Sequence, residues 1–281
     1  MEDRNLTYNR DVFKLIREVI YQYSGIYFSD DYEKILLKRV EKRLDFHTLN
    51  SFYDYYYYLK YNKDKDQELK TLMDLITIRE TYFFREEEQL KALVDEVIPE
   101  IFNKKSDATP VRIWSAGSSS GEEPYSLAIL ILERGLHRRG FKLEIFANDI
   151  SQEATQKAKV GEYGKSSFRT TAPRYLEEYF IPKGDKYAVK SEVKELLNFF
   201  CMNLLDRNKL TFLPPFDVIL CRNVIIYFDK ESKREVITRF HKALKGEGYL
   251  FLGHSESLMD FTDLFKLKHF KNALGYEKVG S

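Results

Sequence analysis

The sequence predicts an α/β protein that begins with a helical region and carries a small antiparallel sheet inserted in its second half. Residues 10–80 place apolar side chains at helical spacing. From residue 111 onward, short and strongly apolar runs alternate with helical patterns, which is typical of a parallel sheet covered by helices on both faces. That alternation breaks down between residues 161 and 195. A chain of 281 residues can form one large domain or two modest ones with ample core.

The composition indicates an ordinary globular protein. Hydrophobic residues make up 43% of the chain, and 45 basic against 44 acidic residues leave a formal charge of +1, so no global field favours nucleic acid. No apolar run approaches the length that spans a bilayer, and the N-terminus lacks an apolar signal core, so we expect a cytoplasmic protein. Cys201 and Cys221 lie in apolar runs without zinc-ligand spacing, which predicts reduced core thiols and no metal.

The first helices are predicted from apolar periodicity. Val12, Leu15, Ile16, Val19 and Ile20 share one helix face, and a second helix follows over residues 30–44. We expect the second helix to bury Ile35, Leu36, Leu37, Val40 and Leu44. Basic side chains crowd its remaining faces: Lys34, Lys38, Arg39, Lys42 and Arg43. They form either a docking face for an acidic partner or an ordinary solvated surface, and the pattern alone leaves both open.

A linker is predicted between the helical region and the sheet. Phe83 and Phe84 anchor a turn flanked by the charged Arg79, Glu80 and Arg85, and a long helix then runs to about Phe102. A polar stretch leads into the first strand. We therefore divide the chain into a helical domain (1–80), a linker (81–107) and an α/β domain (108–281) that contains the insertion (161–195).

The stretch Val111–Gly135 reads as a buried strand, a turn of small residues and a long helix, which presents backbone N–H groups to a ligand. Its spacing is not the GxGxxG fingerprint of dinucleotide sites. Glu122 and Glu123 would repel a pyrophosphate but suit a ligand with an ammonium or sulfonium group and ribose hydroxyls, as in S-adenosylmethionine. The alternative is a capping cluster, with Ser120 as N-cap and Glu123 three residues on.

The second strand of the α/β domain ends on Asn148 and Asp149. An acidic residue there is placed to bind both ribose hydroxyls, although it could equally cap the next helix. In the insertion, Tyr187, Val189, Ser191 and Val193 alternate after a turn at Gly184, which predicts a short antiparallel strand. Three further strands follow, over residues 197–206, 216–228 and 248–256, with a helix over 230–244 and closing strands near the C-terminus.

Four segments taken together resemble the chemotaxis-receptor glutamate methyltransferases, the CheR-type family: ETYFFRE, WSAGSSSGEEPYS, FDVILCRNVIIYFD and GHSES. The similarity runs over nearly the whole chain. It implies a Rossmann-like S-adenosylmethionine-dependent methyltransferase domain behind an all-α domain. It further implies a cytoplasmic monomer that methylates glutamate side chains on the cytoplasmic helices of chemoreceptors (methyl-accepting chemotaxis proteins), releases S-adenosylhomocysteine, and neither binds nucleic acid nor inserts into a membrane.

The resemblance also implies roles for individual residues. Nine positions are expected to bind the cofactor: Arg79, Thr81, Arg85, Glu122 (methionine part), Asp149 (ribose), Asn203 and Leu204 (adenine), Asn223 and Val224 (next to the acceptor). Arg85 and Tyr227 are expected at the transfer centre. The basic helix, through Lys38, Arg39, Lys42 and Arg43, is expected to bind the receptor. One departure is Arg79, where the family usually has Asn; its side chain either weakens a cofactor contact or turns outward.

The expected chemistry needs no general base, because a glutamate with a pKa of about 4.3 is already ionised at neutral pH. Transfer needs positioning and desolvation instead. Arg85 would hold the acceptor carboxylate and Tyr227 would orient it, while His254 is expected to be structural. The competing class is a non-catalytic adaptor of the same fold, for which Arg79 is the one hint. Family members that bind a receptor C-terminal pentapeptide have a longer, glycine-richer loop here, so the short turn at Gly184 and the resemblance together imply methylation that does not depend on such a pentapeptide.

Overall fold

The computed structural model describes residues 10–105, 109–140, 142–259 and 263–280. The chain begins with four helices: α1 (Arg10–Ser24), α2 (Glu33–His47), α3 (Phe52–Tyr61) and α4 (Lys65–Ile76). They share one core, to which α1 contributes Val12, Phe13, Ile16, Val19 and Ile20. The predicted helical region is therefore confirmed.

Helix α2 differs from the sequence prediction at one position. Leu36, Leu37, Val40 and Leu44 are buried as expected, but Ile35 is 50% exposed. At about 100° per residue, Ile35 lies on the face opposite the centre of the stripe that these three leucines and one valine define, so no helix rotation buries all five. The stripe is narrower than we predicted, and Ile35 adds an apolar side chain to the exposed face.

The linker forms one long helical segment, as predicted. It consists of α5 (Glu87–Ala92), a π-helical turn (Leu93–Val97) and α6 (Ile98–Lys104). Pro99 has no N–H to donate, which fits a wider turn directly before it. Leu90, Leu93 and Val97 are buried against the α/β domain. The predicted boundary at residues 107 and 108 lies outside the described residues.

A seven-stranded sheet forms the centre of the α/β domain. Its strands are β1 (Val111–Ala116), β2 (Leu143–Asp149), β6 (Leu197–Cys201), β7 (Phe216–Cys221), β8 (Leu244–Leu252), β9 (Phe265–Phe270) and β10 (Ala273–Lys278). Their order is β6-β2-β1-β7-β8-β10-β9. The first five strands in this order are parallel, and β10 is antiparallel to both of its neighbours. Every residue of β7 is buried, as its apolar run predicts.

Helices cover both faces of this sheet. The main ones are α7 (Glu122–Glu133), α8 (Gln152–Val160) and α12 (Lys230–Ala243), with a short α11 at Arg207–Leu210. Alternate strand residues enter separate cores: Ile113 packs in the core with α7 and the linker, whereas Trp114 packs in the core with α12. Because β1 has β2 on one side and β7 on the other, the strand order reverses there, and a crevice opens beyond the carboxyl ends of these strands.

The insertion forms the small antiparallel sheet that the sequence predicts. Its elements are β3 (Glu162–Gly164), α9 (Pro173–Tyr179), β4 (Phe180–Lys183), β5 (Lys186–Val189) and α10 (Ser191–Lys194), with strand order β3-β5-β4. Gly184 takes a left-handed conformation (φ +63°) at the turn between β4 and β5. The predicted alternation to Val193 is wrong, because residues 191–194 form a helical turn that buries Val193 instead. In the described ranges, no helix has the length and apolar character needed to cross a bilayer.

Candidate active site

A cavity lies at the carboxyl edge of the sheet, where the helical domain meets the α/β domain. Its walls come from the ends of β1, β2, β6 and β7, from the stretch between α4 and α5, and from the segment that joins α1 to α2. Nine of the ten residues predicted for the cofactor and the transfer centre line it: Arg79, Thr81, Arg85, Asp149, Asn203, Leu204, Asn223, Val224 and Tyr227. The structure does not bring the tenth, Glu122, to the cavity.

The small-residue turn after β1 forms the floor of the cavity. Gly117 has φ +77°, and a Cβ added there would lie 2.5 Å from Val224 Cγ2. The Gly117 and Ser118 N–H groups both donate to the Asn148 carbonyl, at 2.9 and 2.8 Å, which fastens the turn to β2. Within the described part of the chain, the buried Ser119 hydroxyl has no hydrogen-bond partner. The turn therefore lies close to the Val224 loop and contains one buried hydroxyl without a partner.

The capping alternative for this turn is wrong. The N-cap of α7 is Gly121 (φ +93°), and no side chain caps the helix there. The Ser120 hydroxyl donates to Glu122 at 2.8 Å instead. Glu122 is 1% exposed and also accepts from Ser167 at 3.1 Å, so its carboxylate is enclosed below the turn.

The next residue, Glu123, lines the cavity that Glu122 was expected to line. Its carboxylate accepts a hydrogen bond from Ser115 Oγ at 2.7 Å. Neighbouring side chains on a helix point about 100° apart, so one member of the pair faces the cavity while the other is buried. The sequence contains both glutamates, but only the helix orientation distinguishes them.

Asp149 is held at the end of β2 by two backbone donors. Its Oδ2 accepts from Ser119 N–H at 2.8 Å and its Oδ1 from Ser151 N–H at 2.9 Å. Helix α8 is capped by Ser151, whose hydroxyl accepts from Ala154 N–H at 3.0 Å, so Asp149 is not the helix cap. Burial raises the pKa of Asp149, while the backbone donors and the Arg79 guanidinium favour its charged form. Asp149 thus presents a fixed carboxylate to the cavity.

Arg79 lines the cavity but directs its guanidinium to the N-terminus of α8. It donates to Glu153 Oε2 at 2.9 Å and to the Asp74 carbonyl. The side-chain carboxylate of Asp74 accepts from Ser151 Oγ at 2.6 Å and from Glu153 N–H at 3.1 Å. These bonds join α4 of the helical domain to α8 of the α/β domain. Of the two outcomes that the sequence left open for Arg79, the structure favours the outward-turned side chain.

The FFR segment is fixed by aromatic packing. The ring of Phe83 stacks on Phe168 with centroids 4.9 Å apart, and Phe84 N–H donates to Ser126 Oγ at 2.8 Å. Arg85 then projects to the cavity, and its Nη1 donates to the Glu80 carbonyl at 3.0 Å. A guanidinium has five N–H donors, so this bond leaves Arg85 with donors for an acceptor.

Tyr227 also lines the cavity, from the loop that follows β7. Its carbonyl accepts from Tyr27 N–H at 2.9 Å, which ties this loop to the helical domain. Burial raises the pKa of the Tyr227 phenol, so its hydroxyl stays protonated and can donate. Arg85 and Tyr227 therefore line one cavity from different elements.

Sequence reasoning missed a buried arginine beside this site. Arg222, directly after β7, donates from Nη1 to Glu123 and from Nη2 to Glu86, both at 3.1 Å, and from Nη2 to the Arg85 carbonyl at 2.6 Å. Its side chain is 2% exposed. Its Nε has no partner among the described residues. The sequence signal that could have identified Arg222 is a charged residue directly after the run that forms the buried strand β7.

The basic side of α2 divides into two rows. Lys38 and Lys42 are exposed. Arg39 donates to the Ile76 carbonyl at 2.8 Å, and Arg43 donates to both oxygens of the buried Glu68, at 2.7 and 2.6 Å. The arginines flank the buried stripe and fasten α2 to α4, whereas the lysines face solvent.

Two stretches of the chain match models of one protein family. Residues 79–274 match the domain described as "CheR methyltransferase, SAM binding domain", and residues 11–77 match "CheR methyltransferase, all-alpha domain". The "Chemotaxis protein methyltransferase 2" of Vibrio cholerae is 36% identical over 95% of this chain and 92% of that protein. The "Chemotaxis protein methyltransferase" of Borreliella burgdorferi is 33% identical over 90% of both chains, and that of Escherichia coli is 33% identical over 91% of this chain and 87% of its own length.

Proposed function

The chain belongs to the CheR methyltransferase family and is an S-adenosylmethionine-dependent methyltransferase of chemotaxis, and we propose that it methylates glutamate carboxylates on the cytoplasmic helices of a chemoreceptor. The observation that supports the proposal is a single cavity that Arg85, Tyr227, Asp149 and Glu123 all line. The family comparisons give no support to a non-catalytic adaptor. Arg79, the one hint of such an adaptor, is engaged with Glu153.

The residues present fit S-adenosylmethionine. Gly117, Ser118 and Ser119 line the cavity with small residues, and Gly117 lets the turn lie close to Val224, where a Cβ would overlap. In this proposal Asp149 accepts from the two ribose hydroxyls, and Glu123 pairs with the ammonium of the methionine part. Asn203 and Leu204 would border the adenine, and Asn223, Val224 and Thr81 would complete the enclosure.

The mechanism is one of positioning. S-adenosylmethionine supplies an electrophilic methyl group on a positively charged sulfur. Arg85 holds the acceptor glutamate through hydrogen bonds from its guanidinium, and Tyr227 donates to or orients the same carboxylate. Because that carboxylate is already ionised near neutral pH, the enzyme removes no proton. The apolar Ile78, Ile226 and Phe228 around the cavity limit the water near the acceptor.

Charge complementarity supports the basic side of α2 as the surface that binds the receptor. We propose that Lys38 and Lys42 attract the acidic helices of the receptor, and that Arg39 and Arg43 add to the positive potential while they hold α2 in place. In this proposal the enzyme acts in the cytoplasm, because the receptor domain that it modifies lies there. We also propose that it acts as a monomer.

We also retain the domain division at residues 80, 107 and 161–195 as a proposal. The four N-terminal helices end at Ile76 and the sheet begins at Val111, which supports it. The turn between β4 and β5 is short and exposed, which supports methylation independent of a receptor pentapeptide.

The test is transfer of a tritiated methyl group from S-adenosylmethionine to receptor-containing membranes of the source organism. Carboxyl methyl esters release labelled methanol in alkali, so alkali-labile label on the receptor supports the proposal. Alkali-stable label, or label on other proteins alone, would overturn it.

A further inference from the structure

One carboxylate accepts four backbone hydrogen bonds beside the cavity. Glu256 belongs to the GHSES segment that follows β8, and its side chain reaches the loop after β7. Its Oε2 accepts from the N–H groups of Gly253 at 2.7 Å and Asn223 at 2.8 Å. Its Oε1 accepts from Val224 N–H at 3.0 Å and Ile226 N–H at 3.2 Å. Three of the four donors therefore belong to the loop that contains Tyr227.

The backbone of this loop has the geometry of an anion site. Asn223 is left-handed (φ +58°) and Val224 is right-handed (φ −119°, ψ −49°). Successive residues of opposite hand turn their N–H groups into one concavity, which binds an anion. A left-handed non-glycine residue also costs free energy unless its surroundings hold it. Glu256 supplies the anion from within the chain.

The close approach of the two segments depends on Gly253. A Cβ added there would lie 2.8 Å from Asn223 Nδ2 and 2.9 Å from both Asn223 N and Glu256 Oε2. Burial raises the pKa of Glu256, but the four N–H donors favour its charged form. His254, by contrast, is 70% exposed at its side chain and lies 3.8 Å from Glu86.

We propose that Glu256 is the positioning residue for methyl transfer, because its carboxylate fixes the loop that brings Asn223, Val224 and Tyr227 to the cavity. The expected effect of Glu256 on methyl transfer rests on the proposed function. Its expected effect on cofactor binding does not. Within GHSES, the glutamate acts on the site through backbone that it holds, whereas the histidine lies at the surface.

The test compares Glu256→Gln with the control Glu177→Gln, which changes an exposed glutamate on α9. Glutamine keeps the shape but turns an NH₂ donor toward two backbone donors. We expect faster amide hydrogen exchange in a peptide that covers residues 221–228. We also expect S-adenosylhomocysteine affinity and initial transfer rate each to fall about tenfold or more, as for lost hydrogen bonds to a charged group. The control should match the parent in all three.

Two results would overturn the inference. Unchanged exchange over residues 221–228 would mean that Glu256 does not hold the loop, and faster exchange with parental affinity and rate would mean that it only supports the fold. If Glu256→Gln does not fold, Gly253→Ala replaces it with the same expectations, since its Cβ separates the carboxylate from the loop. A parent that binds S-adenosylhomocysteine but labels no receptor would refute the proposed acceptor alone, because exchange and affinity still decide the role of Glu256.

Discussion

Arg222 Nη1 donates a hydrogen bond to Glu123 Oε2 at 3.1 Å, and this pair connects the sheet to the first turn of α7. The same guanidinium reaches Glu86 and the Arg85 carbonyl in the linker. The buried Arg222 guanidinium thus holds the Glu123 carboxylate near the backbone of Arg85, the residue that we propose binds the acceptor.

Removing this cation should destabilise the protein. Arg222→Met keeps much of the side-chain volume but leaves Glu86 and Glu123 without their common partner, and breaking a buried ion pair in this way costs about 3–5 kcal/mol. Urea unfolding should show that loss in the free energy of unfolding, whereas Arg234→Met, which removes an exposed arginine on α12, should lose clearly less. Equal stabilities for Arg222→Met and the parent would contradict the structural role given to Arg222.

The ribose site is tested by Asp149→Ala. Charge-assisted hydrogen bonds are worth roughly 1.5–3 kcal/mol, so the affinity for S-adenosylhomocysteine in calorimetry should fall tenfold or more. Asp185→Ala, at the exposed turn between β4 and β5, serves as the control and should bind like the parent. Parental affinity in Asp149→Ala would remove this carboxylate from the site.

The two adjacent glutamates of α7 form a matched pair. Because Glu123 lines the cavity, Glu123→Gln should weaken S-adenosylhomocysteine binding through the lost charge opposite the ammonium. Glu122→Gln changes a carboxylate enclosed by Ser120 and Ser167, and should affect the melting temperature more than the affinity. Should Glu122→Gln weaken binding while Glu123→Gln does not, the assignment from the family resemblance would be right and ours wrong.

The lysine row of α2 is tested by the double variant Lys38→Glu with Lys42→Glu. Exposed charges act mainly on encounter rate and are screened by salt, so receptor methylation at low receptor concentration should fall and lose its ionic-strength dependence. Cofactor affinity should not change. The same charge reversal at Arg234 and Lys242, exposed on α12, is the control. Arg43 is left out because its reversal would face the buried Glu68 and disturb the fold.

Methylation rates of the Lys38→Glu, Lys42→Glu variant and of the parent, measured over a range of salt concentrations, distinguish a docking surface from an ordinary solvated one. Rates that match the parent at every ionic strength would leave α2 as an ordinary solvated surface. Rates that differ from the parent at low salt and converge at high salt are what the docking proposal predicts.

Much of the fold was predictable because apolar runs and turns report burial directly. The fully buried run of β7 and the left-handed turn at Gly184 both follow from local pattern. Two errors have different causes. Ile35 was counted with the buried stripe of α2 although the helical period puts it on the opposite face, whereas no local pattern showed that Val193 is buried from a helical turn rather than a strand.

Most of the site residues predicted from the sequence line the cavity, but the glutamate of α7 that faces it and the buried groups that support it were not predictable. Asp149 follows from its place at a strand end, and Arg85 and Tyr227 from the family resemblance. The choice between Glu122 and Glu123 depends on the rotation of α7, which its neighbours set. Arg222 and Glu256 act through contacts across about 136 and 33 residues of sequence, to Glu86 and Asn223, and no local pattern contains such contacts.

The most direct test of the account is the location of the methyl group that the enzyme transfers. A receptor cytoplasmic domain is incubated with S-adenosylmethionine and either the parent enzyme or Arg85→Ala, and its peptides are analysed by mass spectrometry. We predict methyl esters on glutamate side chains with the parent, and a loss of most of them with Arg85→Ala although that variant still binds S-adenosylhomocysteine. An unmodified receptor, or methyl groups on residues other than glutamate, would contradict the account.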